Sequence, residues 1–64
     1  MRRYDLGETV IIKYLKASGT VVAIIPEEYS IGGYYLVEVN KLLLWVSEDD
    51  LLVYDKYYFD NKED

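Results

Sequence analysis

Apolar and polar positions alternate along most of this chain, in short runs cut by glycine, proline and clustered acids. Such alternation is the period of a β-strand, whose successive side chains point to opposite faces. Thr9 to Leu15 is the first run, with Val10, Ile12 and Tyr14 on one face and Thr9, Ile11 and Lys13 on the other. Both faces are partly apolar, as in a barrel strand lying between the core and a covering segment. Lys16-Ala17-Ser18-Gly19 reads as the first break, with Gly19 supplying the positive φ of a tight connection. Thr20 to Ile25 is the second strand, ended by Pro26, which has no N–H to give to a ladder. Glu27 to Gly33 then forms the longest loop and carries Tyr29 and Ile31.

Tyr34 to Val39 is the third strand, with Tyr35, Val37 and Val39 opposed to Tyr34, Leu36 and Glu38. Asn40-Lys41 is a two-residue hairpin, Asn being tolerant of the left-handed region. Leu42 to Val46 is the fourth strand, setting Leu42, Leu44 and Val46 against Leu43 and Trp45. Ser47 can accept from a backbone N–H two or three residues on, and Glu48, Asp49 and Asp50 place negative charge where a first helical turn favours it. Ser47 to Asp50 is too short for an α-helix and is read as one 3₁₀ turn, after which Leu51 to Tyr54 makes a fifth strand. No helical stripe of apolar residues survives across Leu42 to Val53. These runs predict an all-β domain over residues 1–54, a small five-stranded barrel, followed by a tail over 55–64. Asn61 to Asp64 is expected to be disordered. Tyr57-Tyr58-Phe59 either folds back on the domain, adds an edge strand, or waits for a partner.

Composition narrows the chemistry. The chain has 64 residues, enough for one domain with a thin core. It holds no cysteine and no histidine, which excludes disulfides, thiolate chemistry, a Cys/His zinc site and imidazole catalysis. The serines, Ser18, Ser30 and Ser47, fall in expected turns with no base to activate them. No enzyme, metal or cofactor is expected. Neighbouring acids at Glu27-Glu28 and Glu48-Asp49-Asp50 lack the spacing of a calcium loop and read as solvated turns. No apolar run approaches the length of a membrane span, and the basic start at Arg2-Arg3 is followed by no apolar segment of a secretory signal. A cytoplasmic protein, monomer or homodimer, is the expectation.

The formal charge is −5, from twelve acids and seven bases. Residues 1–32 balance Asp5, Glu8, Glu27 and Glu28 against Arg2, Arg3, Lys13 and Lys16, so the whole excess lies in the second half. An acidic surface repels a phosphate backbone and disfavours general nucleic-acid binding.

The residues Gly7-x-x-Val10-x-Ile12, Gly19-Thr20-Val21-x-x-Ile24, Tyr35-x-Val37-x-Val39 and Trp45-Val46-x-Glu48-x-Asp50-Leu51 together resemble the small SH3-like barrels of the KOW and Tudor-like kind. The resemblance covers residues 6–54 and implies a barrel used for binding between its loops, as in short bacterial and phage accessory proteins. It implies no particular ligand. KOW modules that bind nucleic acid are usually basic, and this chain is acidic. Tudor-like readers of methyl-lysine use an aromatic cage with an acidic partner, for which Tyr14, Tyr34, Trp45 and Glu48 are the residues on offer, without the diagnostic spacing.

Two functions follow as expectations. One is a protein-binding module, a phage or mobile-element accessory that inhibits or adapts a host protein through a basic surface, or mimics DNA toward it. Its contact residues are Tyr14, Tyr29, Tyr34, Trp45, Glu48, Asp49, Asp50, Tyr57, Tyr58 and Phe59, aromatic area beside negative charge. The other is a weak nucleic-acid module using Arg2, Arg3, Lys13 and Lys16 beside Tyr14.

Overall fold

The computed structural model describes residues 4–25 and 33–59. It contains five strands, β1 (Thr9–Ile12), β2 (Ala17–Ile25), β3 (Tyr34–Val39), β4 (Leu42–Ser47) and β5 (Leu51–Val53), and a 3₁₀ turn over Glu48–Asp50 between the last two. All pairings are antiparallel, and the strands form one sheet in the order β4-β3-β2-β1-β5. The expected strand count, the all-β class and the 3₁₀ turn hold. Edge strands β4 and β5 are not ladder neighbours.

β2 joins two ladders: Ala17 to Thr20 pairs with β1, and Thr20 to Ile25 pairs with β3. The β2–β3 register shifts between Val21 and Ala23, so Val22 is an extra residue with no partner on β3. A bulge of this kind bends its strand and raises the local twist. Backbone and side chains crowd Gly19, where an added Cβ would lie 2.6 Å from Val37 Cγ1, 2.7 Å from the Glu38 carbonyl oxygen and 2.7 Å from Val39 Cγ2.

The curled face holds the core, made of Tyr4, Val10, Ile12, Val21, Tyr35, Val37, Val46 and Leu51, with Ile24, Val39 and Leu44 packed against it. Ile11, on the other face of β1, is also wholly buried. The expectation that both faces of the first strand are covered is thereby met for Val10, Ile11 and Ile12. Burial on β3 alternates as predicted, with Tyr35 and Val37 buried and Tyr34 and Glu38 exposed. The Asn40-Lys41 hairpin is present, with φ of 50° and 71° at its two central residues, the left-handed pair that a type I′ turn requires.

Three expectations are corrected. The first strand stops at Ile12 rather than Leu15, because Lys13 to Lys16 turns back, with Lys16 N–H donating to the Ile12 carbonyl at 2.8 Å. Tyr14 therefore lies on a turn and not on a strand face. The break lies three residues earlier than expected, at Lys13 to Lys16, and Ala17, Ser18 and Gly19 belong to β2. Positive φ falls on Lys16 at 54°, while Gly19 is required for close approach instead. Ahead of β1, Tyr4 is a core residue. Pro26 and the loop residues Glu27 to Gly32, including Tyr29, lie outside the described residues, as do Arg2, Arg3 and the segment Asn61 to Asp64.

Candidate functional site

Directly opposed residues of an antiparallel pair share a face, so the register identifies what the outer side of β3 and β4 presents. Leu36 is opposite Trp45, Glu38 opposite Leu43, and Tyr34 opposite Ser47. Tyr34 and Trp45 are diagonal neighbours on that face. Trp45 is 50% exposed, Leu43 58% and Tyr34 38%, so these three side chains stand partly in solvent, while Leu36 is half-buried. From β2, Ala23 pairs with Leu36 and Ile25 with Tyr34, both half-buried, which extends the apolar area inward from the edge. The patch exists because β4 carries apolar residues on both faces while only one face meets the core. Scattered exposed apolar residues are ordinary on a protein surface, whereas these share one face of neighbouring strands.

The acidic turn adjoins this patch through Ser47. The Ser47 hydroxyl accepts from Asp49 N–H at 3.3 Å and caps the turn, as predicted from the Ser-Glu-Asp-Asp run. Glu48 N–H donates to the Gly33 carbonyl at 3.2 Å, carrying the β3–β4 ladder one step further. Two tyrosines then pin the turn at both ends. Tyr35 donates its hydroxyl to Glu48 Oε2 at 3.1 Å, and Tyr4 donates its hydroxyl to the Leu51 carbonyl at 3.1 Å. Their rings meet edge to face, 5.4 Å between centroids and 78° between planes. Glu48 is thus turned toward Tyr35 on the core side, away from the face of Tyr34 and Trp45. Asp50 is half-buried, and its carbonyl accepts from Lys13 N–H at 2.9 Å. Asp49 is the exposed acid of the three.

The candidate contact residues therefore separate. Tyr34 and Trp45 share the outer face, with Asp49 on the turn that follows β4. Glu48 belongs to the tyrosine clamp. Tyr14, 61% exposed, rides the β1–β2 turn between Lys13 and Lys16, which the Lys13 bond draws to the acidic turn. In the tail, Asp55 to Phe59 adds no edge strand; it turns, with Tyr58 N–H donating to the Asp55 carbonyl and Tyr57 N–H to Asp55 Oδ1, each at 2.9 Å. Tyr58 and Phe59 are half-buried and in edge-to-face contact at 5.1 Å, while Tyr57 is exposed with Lys56 Nζ 5.1 Å from its ring centroid. Among the described residues, no group of three or more carboxylates could hold a metal ion, and no helix is long and apolar enough to cross a membrane.

Two features escaped the reading of the sequence. Leu43 completes the patch, and its signal was present: it shares a strand face with Trp45. Tyr4 supplies half of the clamp, and nothing around an isolated tyrosine between Arg3 and Asp5 marks it as buried. No family model, curated protein or solved structure matches the chain.

Proposed function

We propose that this protein is a small non-catalytic protein-binding module of the SH3-like barrel type. It docks through the outer face of β3 and β4, with Trp45 as the central anchor and Asp49 and Glu38 meeting basic groups on the partner. The observation that supports this most is the adjacency of exposed Trp45, Tyr34 and Leu43 to exposed acids. Aromatic anchors bury large area at low rotamer cost, and flanking charge speeds encounter and sets orientation. Support for the barrel comes from the bulge at Val22, the close approach at Gly19, and a last strand that follows a 3₁₀ turn and returns beside the first. In this proposal the chain acts in the cytoplasm as a phage or mobile-element accessory that blocks or adapts a host protein. Where the target itself binds nucleic acid, the acidic surface competes as a DNA mimic.

A second reading keeps one observation in its favour: Lys13, Tyr14 and Lys16 are all exposed on a single turn. That is the minimum for a weak single-strand contact by charge and stacking. One pair of experiments separates the two. Affinity capture from host lysate with the native chain and with Trp45→Ala is expected to retain basic proteins in a Trp45-dependent and salt-sensitive way, while oligonucleotides at physiological salt are not bound. Capture indifferent to Trp45, together with micromolar oligonucleotide binding that Tyr14→Ala removes, would overturn the docking proposal in favour of the second.

A further inference from the structure

We infer that β4 pairs with β4 of a second copy of this chain, antiparallel and centred on Trp45, to make one continuous sheet through two molecules. This goes beyond the docking proposal and stands without it.

The register with β3 fixes which backbone groups of β4 lack a ladder partner among the described residues. Val39 and Leu42 flank a two-residue turn and so form a hydrogen-bonded pair, which by alternation makes Val37 with Leu44 and Tyr35 with Val46 bonded pairs as well. The bond from Glu48 N–H to the Gly33 carbonyl has the same phase. The N–H and C=O groups of Leu43, Trp45 and Ser47 consequently point away from β3, toward the side where no strand among the described residues pairs with β4. Exposed edges are templates for pairing, and proteins usually blunt them with charge, proline, a bulge or brevity. Leu42-Leu43-Leu44-Trp45-Val46-Ser47 has no charge, proline or glycine and follows β3 without a register break. At the opposite edge β5 is only three residues long.

The pattern of this edge also selects its occupant. A base, Lys41, stands at one end of β4 and the acids Glu48 to Asp50 at the other. Antiparallel pairing of two identical edges brings each base to the other copy's acids; parallel pairing would set like against like. Side-chain faces must match across the seam, which requires outward residues to oppose outward residues. Centring on Trp45 sets Trp45 opposite Trp45 and Leu43 opposite Ser47, so every outward N–H and C=O of those three residues gains a partner. The same register brings Lys41 of one copy to Asp49 of the other, each four positions from Trp45. A two-fold contact of this kind closes on itself and leaves the outer patches of the two copies continuous.

Sedimentation equilibrium from micromolar to millimolar chain tests it. The native chain is expected to dimerise. Leu43→Pro removes an outward N–H while sparing the β3 ladder, and is expected to raise the dimer dissociation constant by at least about tenfold. Lys41→Glu and Asp49→Lys singly are each expected to weaken the dimer by about threefold or more, and the double variant to recover most of the loss. The two positions lie about 25 Å apart along one chain, beyond direct interaction, so such coupling reports contact between copies. A chain monomeric throughout, a dimer unaffected by Leu43→Pro in a folded variant, or charge reversals without mutual recovery would each overturn the inference. The charge pair decides the matter if Leu43→Pro fails to fold.

Discussion

The Tyr35 hydroxyl donates to Glu48 Oε2 at 3.1 Å, joining the middle of the core to the start of the acidic turn. Tyr4 does the same at the end of that turn through the Leu51 carbonyl, and the two rings touch edge to face. A short 3₁₀ turn has little stability of its own, so this pair of tyrosines helps to hold it, together with the Ser47 cap and the backbone bonds to Gly33 and Lys13.

Removing either hydroxyl should loosen the turn without opening the core. Tyr35→Phe is expected to cost about 1 kcal/mol in urea unfolding, since the bond is only partly buried. Tyr4→Phe should cost as much or more, about 1–2 kcal/mol, because it leaves the Leu51 carbonyl buried and unsatisfied. Equal stability of Tyr4→Phe and the native chain would mean that the hydroxyl bond does not hold the turn.

Gly19 and Gly7 are needed for different reasons, and substitution separates them. Nothing lies within 4 Å of a Cβ at Gly7, but its φ is +85°. Gly7→Ala is expected to cost about 1–2 kcal/mol through strain, and Gly7→Asn less, as Asn visits the left-handed region more readily. At Gly19 the obstacle is the Glu38 backbone and two valine side chains. Gly19→Ala is expected to cost about 3 kcal/mol or prevent folding, and Gly19→Asn to be worse. Thermal or urea denaturation of the four variants gives the ranking.

These two glycines also mark how far the sequence can be read. Alternation is a local property, so the span and faces of β3, the strand β4, the left-handed Asn40-Lys41 pair and the Ser47 cap were all legible. Gly19 was not, because its role depends on Val37 and Val39, which approach only once the sheet has curled. The place of Tyr14 was hidden for a related reason: Tyr favours a strand and carries no turn signal, and the bond from Lys16 N–H back to Ile12 overrides that local preference. The aromatic half of the candidate surface, Tyr34 and Trp45, followed from strand period alone. Glu48 did not, since a carboxylate in an acidic run carries no sign that a tyrosine from β3 will claim it.

Trp45→Ala should separate docking from folding. The side chain is half in solvent on an edge strand, so the variant is expected to lose no more than about 1 kcal/mol of stability while losing partner capture. Ile12→Ala, at a fully buried core position, is expected to cost about 2–5 kcal/mol. If Trp45→Ala is destabilised as severely as Ile12→Ala, the indole is a structural element and not a contact residue.

Lys41→Gly sets the stability of the fold against the association of two copies. Lys41 holds φ of 71°, where a side chain is strained and glycine is not. Asn40 followed by glycine is the preferred pair for a type I′ hairpin, so Lys41→Gly is expected to stabilise the monomer by about 1 kcal/mol in urea unfolding. The same change removes the cation that meets Asp49 of the second copy, and should weaken the dimer severalfold. A more stable chain that associates less would assign Lys41 to the interface between copies, retained at a cost to the hairpin. A variant that gains in both would leave the residue without that role and place the attraction between edges entirely in the backbone of β4.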